Sequence, residues 1–172
     1  MEIQADTNKV CLHAEKIDKI YPGTKALDQV SFDVYTSKVN VLIGENGAGK
    51  STLMKILAGI EKPSAGKIFL DGKEVSFKNT AEARKYGIGI IHQELSLFPN
   101  LNVYQNVFMA NEKTKNYCIL DNKQHYKLAQ QVLERLEYPI KPDALVGSLR
   151  VGQQQMIEIA RKLIQEGLKV LI

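Results

Sequence analysis

Cysteine is scarce: Cys11 and Cys118 are the only two in 172 residues, too few for a disulfide framework or a cysteine-built metal cluster, which suits a reducing compartment. No apolar run approaches the roughly 20 residues that a membrane span requires. The opening Met1-Glu2-Ile3-Gln4-Ala5-Asp6 has neither the basic nor the apolar region of a secretory signal. A basic tract is also missing. The 23 Lys and Arg against 19 Asp and Glu leave a net charge of +4, spread among acidic residues, which speaks against nucleic acid as a partner. Internal repeats and low-complexity segments are absent. What is there is ordinary for a folded chain: 44% hydrophobic and 24% charged residues argue against disorder. At roughly 150 residues per domain, the length suggests about one domain. These features describe a cytoplasmic globular domain.

Hydrophobic patterning then sets out the elements. Strand-like segments at 10–17 and 30–35 flank the turn-prone Tyr21-Pro22-Gly23. Val39-Asn40-Val41-Leu42-Ile43 is a short β-branched run ending at Gly44, the pattern of a buried strand feeding a glycine-rich loop. From Lys50 the period becomes helical, with Leu53, Ile56, Leu57 and Ile60 on one face and Gly59 near the end. Asp71-Gly72 between residues 67–70 and 73–77 predicts a hairpin with a type I′ turn. A short helix over 80–86 follows, capped by Asn79 or Thr80 and stopped by Gly87, and then a buried strand over 88–91. Residues 100–148 read as mostly helical, most clearly at 123–138, where Leu128, Val132, Leu133 and Leu136 share a face and Pro139 and Pro142 follow. A last helix spans about 151–165, and Lys169-Val170-Leu171-Ile172 begins a strand.

The segment between the apolar run and the first helix carries the chemistry. Gly44-Glu45-Asn46-Gly47-Ala48-Gly49-Lys50-Ser51 fits G-x-x-x-x-G-K-[ST] in full, between a strand and a helix as that motif requires. Glycines let consecutive backbone N–H groups turn inward around phosphate oxygens without Cβ clashes. The new helix points its positive dipole end at the same anion. In this reading Lys50 neutralises charge on the β- and γ-phosphates, the Ser51 hydroxyl ligates Mg²⁺, and Thr52 assists at the α- or β-phosphate. The expected ligand is a nucleoside triphosphate with Mg²⁺.

Two further segments narrow the class. Gln93, within His92-Gln93-Glu94, lies 43 residues beyond Lys50; Gly152, within Leu149-Arg150-Val151-Gly152-Gln153-Gln154-Gln155, lies 59 residues beyond Gln93. In order and spacing the three motifs resemble the Walker A, Q-loop and LSGGQ-type signature segments of ATP-binding cassette (ABC) ATPases. The match runs from about Val10 to Ile172. The resemblance implies an α/β P-loop NTPase fold with a mostly parallel core sheet, an N-terminal antiparallel β-subdomain and a helical subdomain over about 95–160. Residues 1–172 would form a single domain, incomplete at its C-terminus. The cofactors implied are ATP and Mg²⁺. Gln93 would be a Mg²⁺ ligand near the attacking water, and Tyr21 would stack on adenine. His92 reads as a structural neighbour of Gln93, not as a catalytic imidazole. Leu149, Arg150, Val151, Gly152 and Gln153 would face a nucleotide held by the opposite cassette.

A finer resemblance lies in 91–95, 97–101 and 151–160, which look like the first of two tandem cassettes in ribose/galactose/xylose-type monosaccharide importers. The partners implied are an integral-membrane permease, a second cassette and, indirectly, an extracellular sugar-binding protein. The location implied is the inner face of the cell membrane. Arg150 departs from the family pattern, which has serine there. Either its guanidinium substitutes a charge-assisted phosphate contact, or this signature faces a degenerate site. The family's Mg²⁺-holding Asp and water-activating Glu would follow the strand at 168–172, so the expectation for these residues alone is ATP binding without meaningful hydrolysis. Two rival readings remain: a non-transport ABC ATPase, and a short nucleotide-binding module without catalysis.

Overall fold

The computed structural model describes residues 9–92, 94–109, 111–112, 114–115 and 119–172. The chain divides into two compact units, one running to Gly89 and taking in Ile172, the other from Ile90 to Leu171.

In the first unit, β1 (Val10–Tyr21) and β2 (Thr24–Tyr35) form one long antiparallel hairpin. Both strands are longer than the sequence pattern indicates, and Pro22-Gly23 closes them with Gly23 at φ 83°. Register shifts accompany positive φ at Lys16 and Gln29. Such bulges scramble strict alternation, which is why the middle of the hairpin was invisible to a period-two pattern. β3 (Ala65–Leu70) pairs with β1, and β4 (Lys73–Val75) with β3, giving the antiparallel order β2-β1-β3-β4. The Asp71-Gly72 turn has φ 50° and 78°, as a type I′ turn demands.

Helix α1 (Lys50–Leu57) buries Leu53, Ile56 and Leu57, with Leu12, Ala14, Ile17, Leu27, Ile68 and Leu70 also in this unit's core. It ends one turn earlier than the periodicity suggests. Gly59 turns to φ 72°, and the Ile60 amide reaches back to the Lys55 carbonyl at 2.8 Å, a Schellman-type stop that leaves Ile60 exposed. Helix α2 (Thr80–Lys85) is capped by Asn79, whose side chain accepts from the Glu82 amide at 3.0 Å. A two-residue strand, β5 (Ile88–Gly89), follows it, shorter than the stretch expected over 88–91. The Gly89 carbonyl accepts from the Ile172 amide at 2.9 Å.

The buried strand expected at 39–43 is corrected by the structure. No strand forms over 39–45, and Val39, Val41 and Ile43 are 92%, 67% and 87% exposed. A strand of parallel type gains its ladder bonds and its burial only when neighbours flank it. Among the described residues none pairs with this run. Asn40 instead folds the segment back locally: its side chain accepts from the Tyr35 amide at 3.0 Å and donates to the Tyr35 carbonyl at 3.2 Å.

The second unit is built on α3 (Val103–Phe108), α4 (Asn122–Arg135) and α5 (Val151–Leu163). Val103, Val107, Phe108, Ala129, Leu133, Ile140, Val146, Ile157 and Ala160 form its core. A small hairpin, β6 (Thr114–Lys115) with β7 (Ile119–Leu120), precedes α4, and β8 (Val170–Leu171) follows α5. The mostly helical reading of 100–148 missed that hairpin because two-residue strands carry no period.

Buried Asn106 does the polar work here. Its Oδ1 accepts from the Phe98 amide at 2.7 Å, and its Nδ2 lies within reach of the Phe98, Leu101 and Asn102 carbonyls at 3.0, 3.3 and 3.2 Å. The side chain thus ties the loop at 98–102 onto α3. Asn106→Ala leaves those groups without their partner, and the expected loss of stability is about 2–3 kcal/mol, read from denaturant midpoints.

Candidate functional site

The loop 44–49 turns sharply, with Gly47 at φ 88° and Gly49 at φ 83°. Gly49 is the residue on which α1 starts, and no side chain caps that helix. Its first-turn amides are therefore left to whatever sits in the loop, an arrangement suited to an anion. A Cβ on Gly49 would lie 2.5 Å from the Ala26 carbonyl oxygen and 2.6 Å from Leu27 Cδ2. Glycine is thus demanded twice, by conformation and by the closeness of β2. A Cβ on Gly47 would meet nothing within 4 Å, so only its conformation matters there.

Lys50 Nζ donates to the Gly44 and Glu45 carbonyls, at 2.6 Å each, which holds the ammonium at the loop. The Ala48 amide donates to the Glu45 carbonyl at 3.2 Å, closing a turn around Asn46 and Gly47. Ser51 is exposed and Thr52 half-buried in the first turn of α1. One hydroxyl is a sparse donor set for a cation, but it fits Mg²⁺, which keeps several waters and takes its other oxygens from phosphate. Among the described residues no group of three or more His, Cys, Asp or Glu could hold a metal by itself.

Tyr21 belongs to the same unit. Its hydroxyl donates to Glu61 Oε2. The Lys19 ammonium sits 5.1 Å from the ring centroid and 3.2 Å from Glu61 Oε2. The bond to Glu61 raises the Tyr21 pKa above its ordinary value. The same bond, helped by Lys19 and Lys55, holds Glu61 below the usual carboxylate range. Phenol and carboxylate therefore keep these forms across neutral pH. Sequence reasoning missed Glu61 and Lys19, because a pair 40 residues apart leaves no local signal.

The signature-like residues lie in the second unit. Leu149 is half-buried, while Arg150, Val151 and Gly152 are exposed at the start of α5. Gln153 Oε1 turns back to accept from the Arg150 amide at 3.0 Å, and Gln154 Nε2 donates to the Val146 and Leu149 carbonyls at 3.2 and 3.0 Å. These amides thus shape the entry to α5. Gln93 lies outside the described residues, and His92 is exposed. Just beyond, buried Glu158 accepts from the Ser96 amide at 2.9 Å while Arg161 donates to the Ser96 carbonyl at 3.2 Å, fastening that segment to α5. Across the described chain no helix is long and apolar enough to cross a membrane.

The sequence matches the family model described as "ABC transporter" over residues 27–172. It is 44% identical over 157 residues to the ribose import ATP-binding protein RbsA of Rhodopirellula baltica, covering 91% of this chain and 31% of the relative. To the protein of the same name from Clostridium perfringens strain SM101 it is 49% identical over 148 residues, covering 86% and 30%. The chain thus spans about a third of the length of these relatives. Among solved structures it resembles a nucleotide-free ATP-binding cassette from an ABC transporter, with TM-score 0.77 at 29% identity over 91% of this chain and 66% of the other. It is also similar to cbiO1 from Clostridium perfringens, part of the ABC transporter complex cbiONQ, with TM-score 0.77 at 31% identity over 94% and 64%. MJ1267 in its ADP conformation, an ATP-binding cassette of an ABC transporter, gives 0.76 at 29% identity over 92% and 66%.

Proposed function

The chain belongs to the ABC transporter family, and from that membership we propose that it is the ATP-binding part of an importer that couples ATP to uptake of a monosaccharide. The observation that carries this reading is the phosphate loop. A complete motif is folded around two left-handed glycines, with an uncapped helix start and the Lys50 ammonium at the same place. The sugar is the finer part of the proposal, and the ribose-import naming of relatives at 44% and 49% identity supports it.

In this reading Lys50 meets the β- and γ-phosphates, the amides of 47–52 cradle them, and Tyr21 stacks on the base. Mg²⁺, when bound, supplies charge neutralisation between the phosphates, and Ser51 and Gln93 offer oxygens to it. The start of α5, with Arg150, Val151 and Gly152 exposed and Leu149 and Gln153 beside them, would present the Val151 and Gly152 amides to a nucleotide on a second cassette. Arg150 would add a charge there where a hydroxyl is usual. A membrane permease is the partner that would carry the sugar, with a binding protein outside the cell delivering it. The protein would then act at the cytoplasmic face of the membrane.

Equilibrium dialysis of the chain against ATP should show saturable binding that EDTA weakens. Absence of saturable binding would overturn the reading of the loop. Undiminished ribose uptake by cells whose protein carries Lys50→Ala would overturn the reading as an importer ATPase.

A further inference from the structure

Tyr21 is held from several directions by groups that the motif reading does not use. Its hydroxyl donates to Glu61, and Glu61 follows directly after the turn that ends α1. The Glu61 amide reaches back to the Lys55 carbonyl at 3.3 Å, and Lys55 Nζ lies 3.8 Å from Glu61 Oε1. Through Glu61 the tyrosine is therefore fastened to the end of the helix whose start builds the phosphate loop. Lys19 closes the arrangement. Its ammonium donates to the Lys62 carbonyl at 2.8 Å, pairs with Glu61 and lies over the Tyr21 ring. A cation over one face would direct a flat ligand to the opposite face.

We propose that Glu61 is a positioning residue for the nucleotide base: with Lys19 it fixes the Tyr21 ring so that the face opposite Lys19 is preset for a purine. This rests on the reading of the loop as a triphosphate site. A tyrosine free to rotate would have to be ordered at the moment of binding. One already held loses less, and the difference falls on the base and not on the phosphates. The geometry also gives a reason for tyrosine in place of phenylalanine, since the ring supplies the stack and the hydroxyl supplies the pose.

The test compares two ligands that share the phosphate chain and differ in the base, ATP and inorganic tripolyphosphate. Glu61→Leu removes charge and acceptor at similar volume, Tyr21→Phe removes the same bond from the other side, and Glu61→Gln keeps an acceptor. Glu61→Leu and Tyr21→Phe should each weaken ATP by about 3- to 10-fold, on the scale of one hydrogen bond. Tripolyphosphate affinity should stay unchanged in both, the double variant should be no worse than either single one, and Glu61→Gln should bind nearly as wild type. The inference is overturned if Glu61→Leu leaves ATP affinity untouched, or if it weakens both ligands equally, as general damage to the loop would. If the unaltered chain binds neither ligand, the triphosphate reading fails and takes this inference with it. If the chain binds both and the variants do not separate them, only the positioning role fails.

Discussion

Lys50→Ala is expected to weaken ATP binding by about one to two orders of magnitude. The Lys50 ammonium holds two backbone carbonyls of its own loop at 2.6 Å, so it is already placed where incoming phosphate oxygens must arrive. A charged hydrogen bond contributes roughly 1.5–3 kcal/mol. By the affinity scale that corresponds to about a 10- to 150-fold change in Kd. The loop amides remain in the variant, which is why residual binding is expected and not a complete loss. Stability should change little, because both Lys50 bonds are exposed to solvent. Lys50→Arg is the sharper control. It keeps the charge but carries it on a longer, planar group that cannot direct three donors into so tight a turn, so it should bind almost as poorly as Ala. Titration with a fluorescent ATP analogue separates these outcomes, and an unchanged affinity in Lys50→Ala would remove the loop from the account of binding.

The turn of the loop at 44–49 was legible in the sequence because positive φ needs glycine locally. The same holds for the Asp71-Gly72 turn and for the Asn79 cap, each decided by a few adjacent residues. Legibility ends where the outcome depends on distant chain. Val39, Val41 and Ile43 have the composition of a buried strand, but burial belongs to neighbours and not to the run itself, and here the side chains face solvent. The bond from Tyr21 to Glu61 spans 40 residues and joins a strand end to the segment after a helix. Neither residue's surroundings in the sequence announce it. Arg150 illustrates the intermediate case. The sequence marked it as unusual, and the structure places it at the entry to α5, its amide bonded to Gln153 and its side chain exposed.

Gly49→Ala is expected to destabilise the first unit by about 2–5 kcal/mol and to abolish tight nucleotide binding with it. Two costs add. Holding an L-residue in the left-handed region costs roughly 1–2 kcal/mol. Forcing a methyl group into occupied space costs roughly a further 1–3 kcal/mol. The second cost is real here because the new Cβ would sit 2.5 Å from the Ala26 carbonyl oxygen. Ala26 lies in β2 at a register shift, between Lys25 and Leu27, which pair with Ile20 and Lys19 of β1, so relief must come from that irregularity or from α1 backing away from the sheet. Leu27 Cδ2, 2.6 Å away, belongs to a buried side chain with little room to turn. Gly47→Ala isolates the two costs: it meets the same conformational penalty at φ 88° but no neighbour within 4 Å. For a unit of this size each kcal/mol is roughly 4–8 °C in Tm. Gly49→Ala should therefore melt clearly below Gly47→Ala, by roughly 4–24 °C for a further cost of about 1–3 kcal/mol. Equal melting temperatures would mean that β2 yields to the extra methyl, and that conformation alone demands glycine where the loop meets α1.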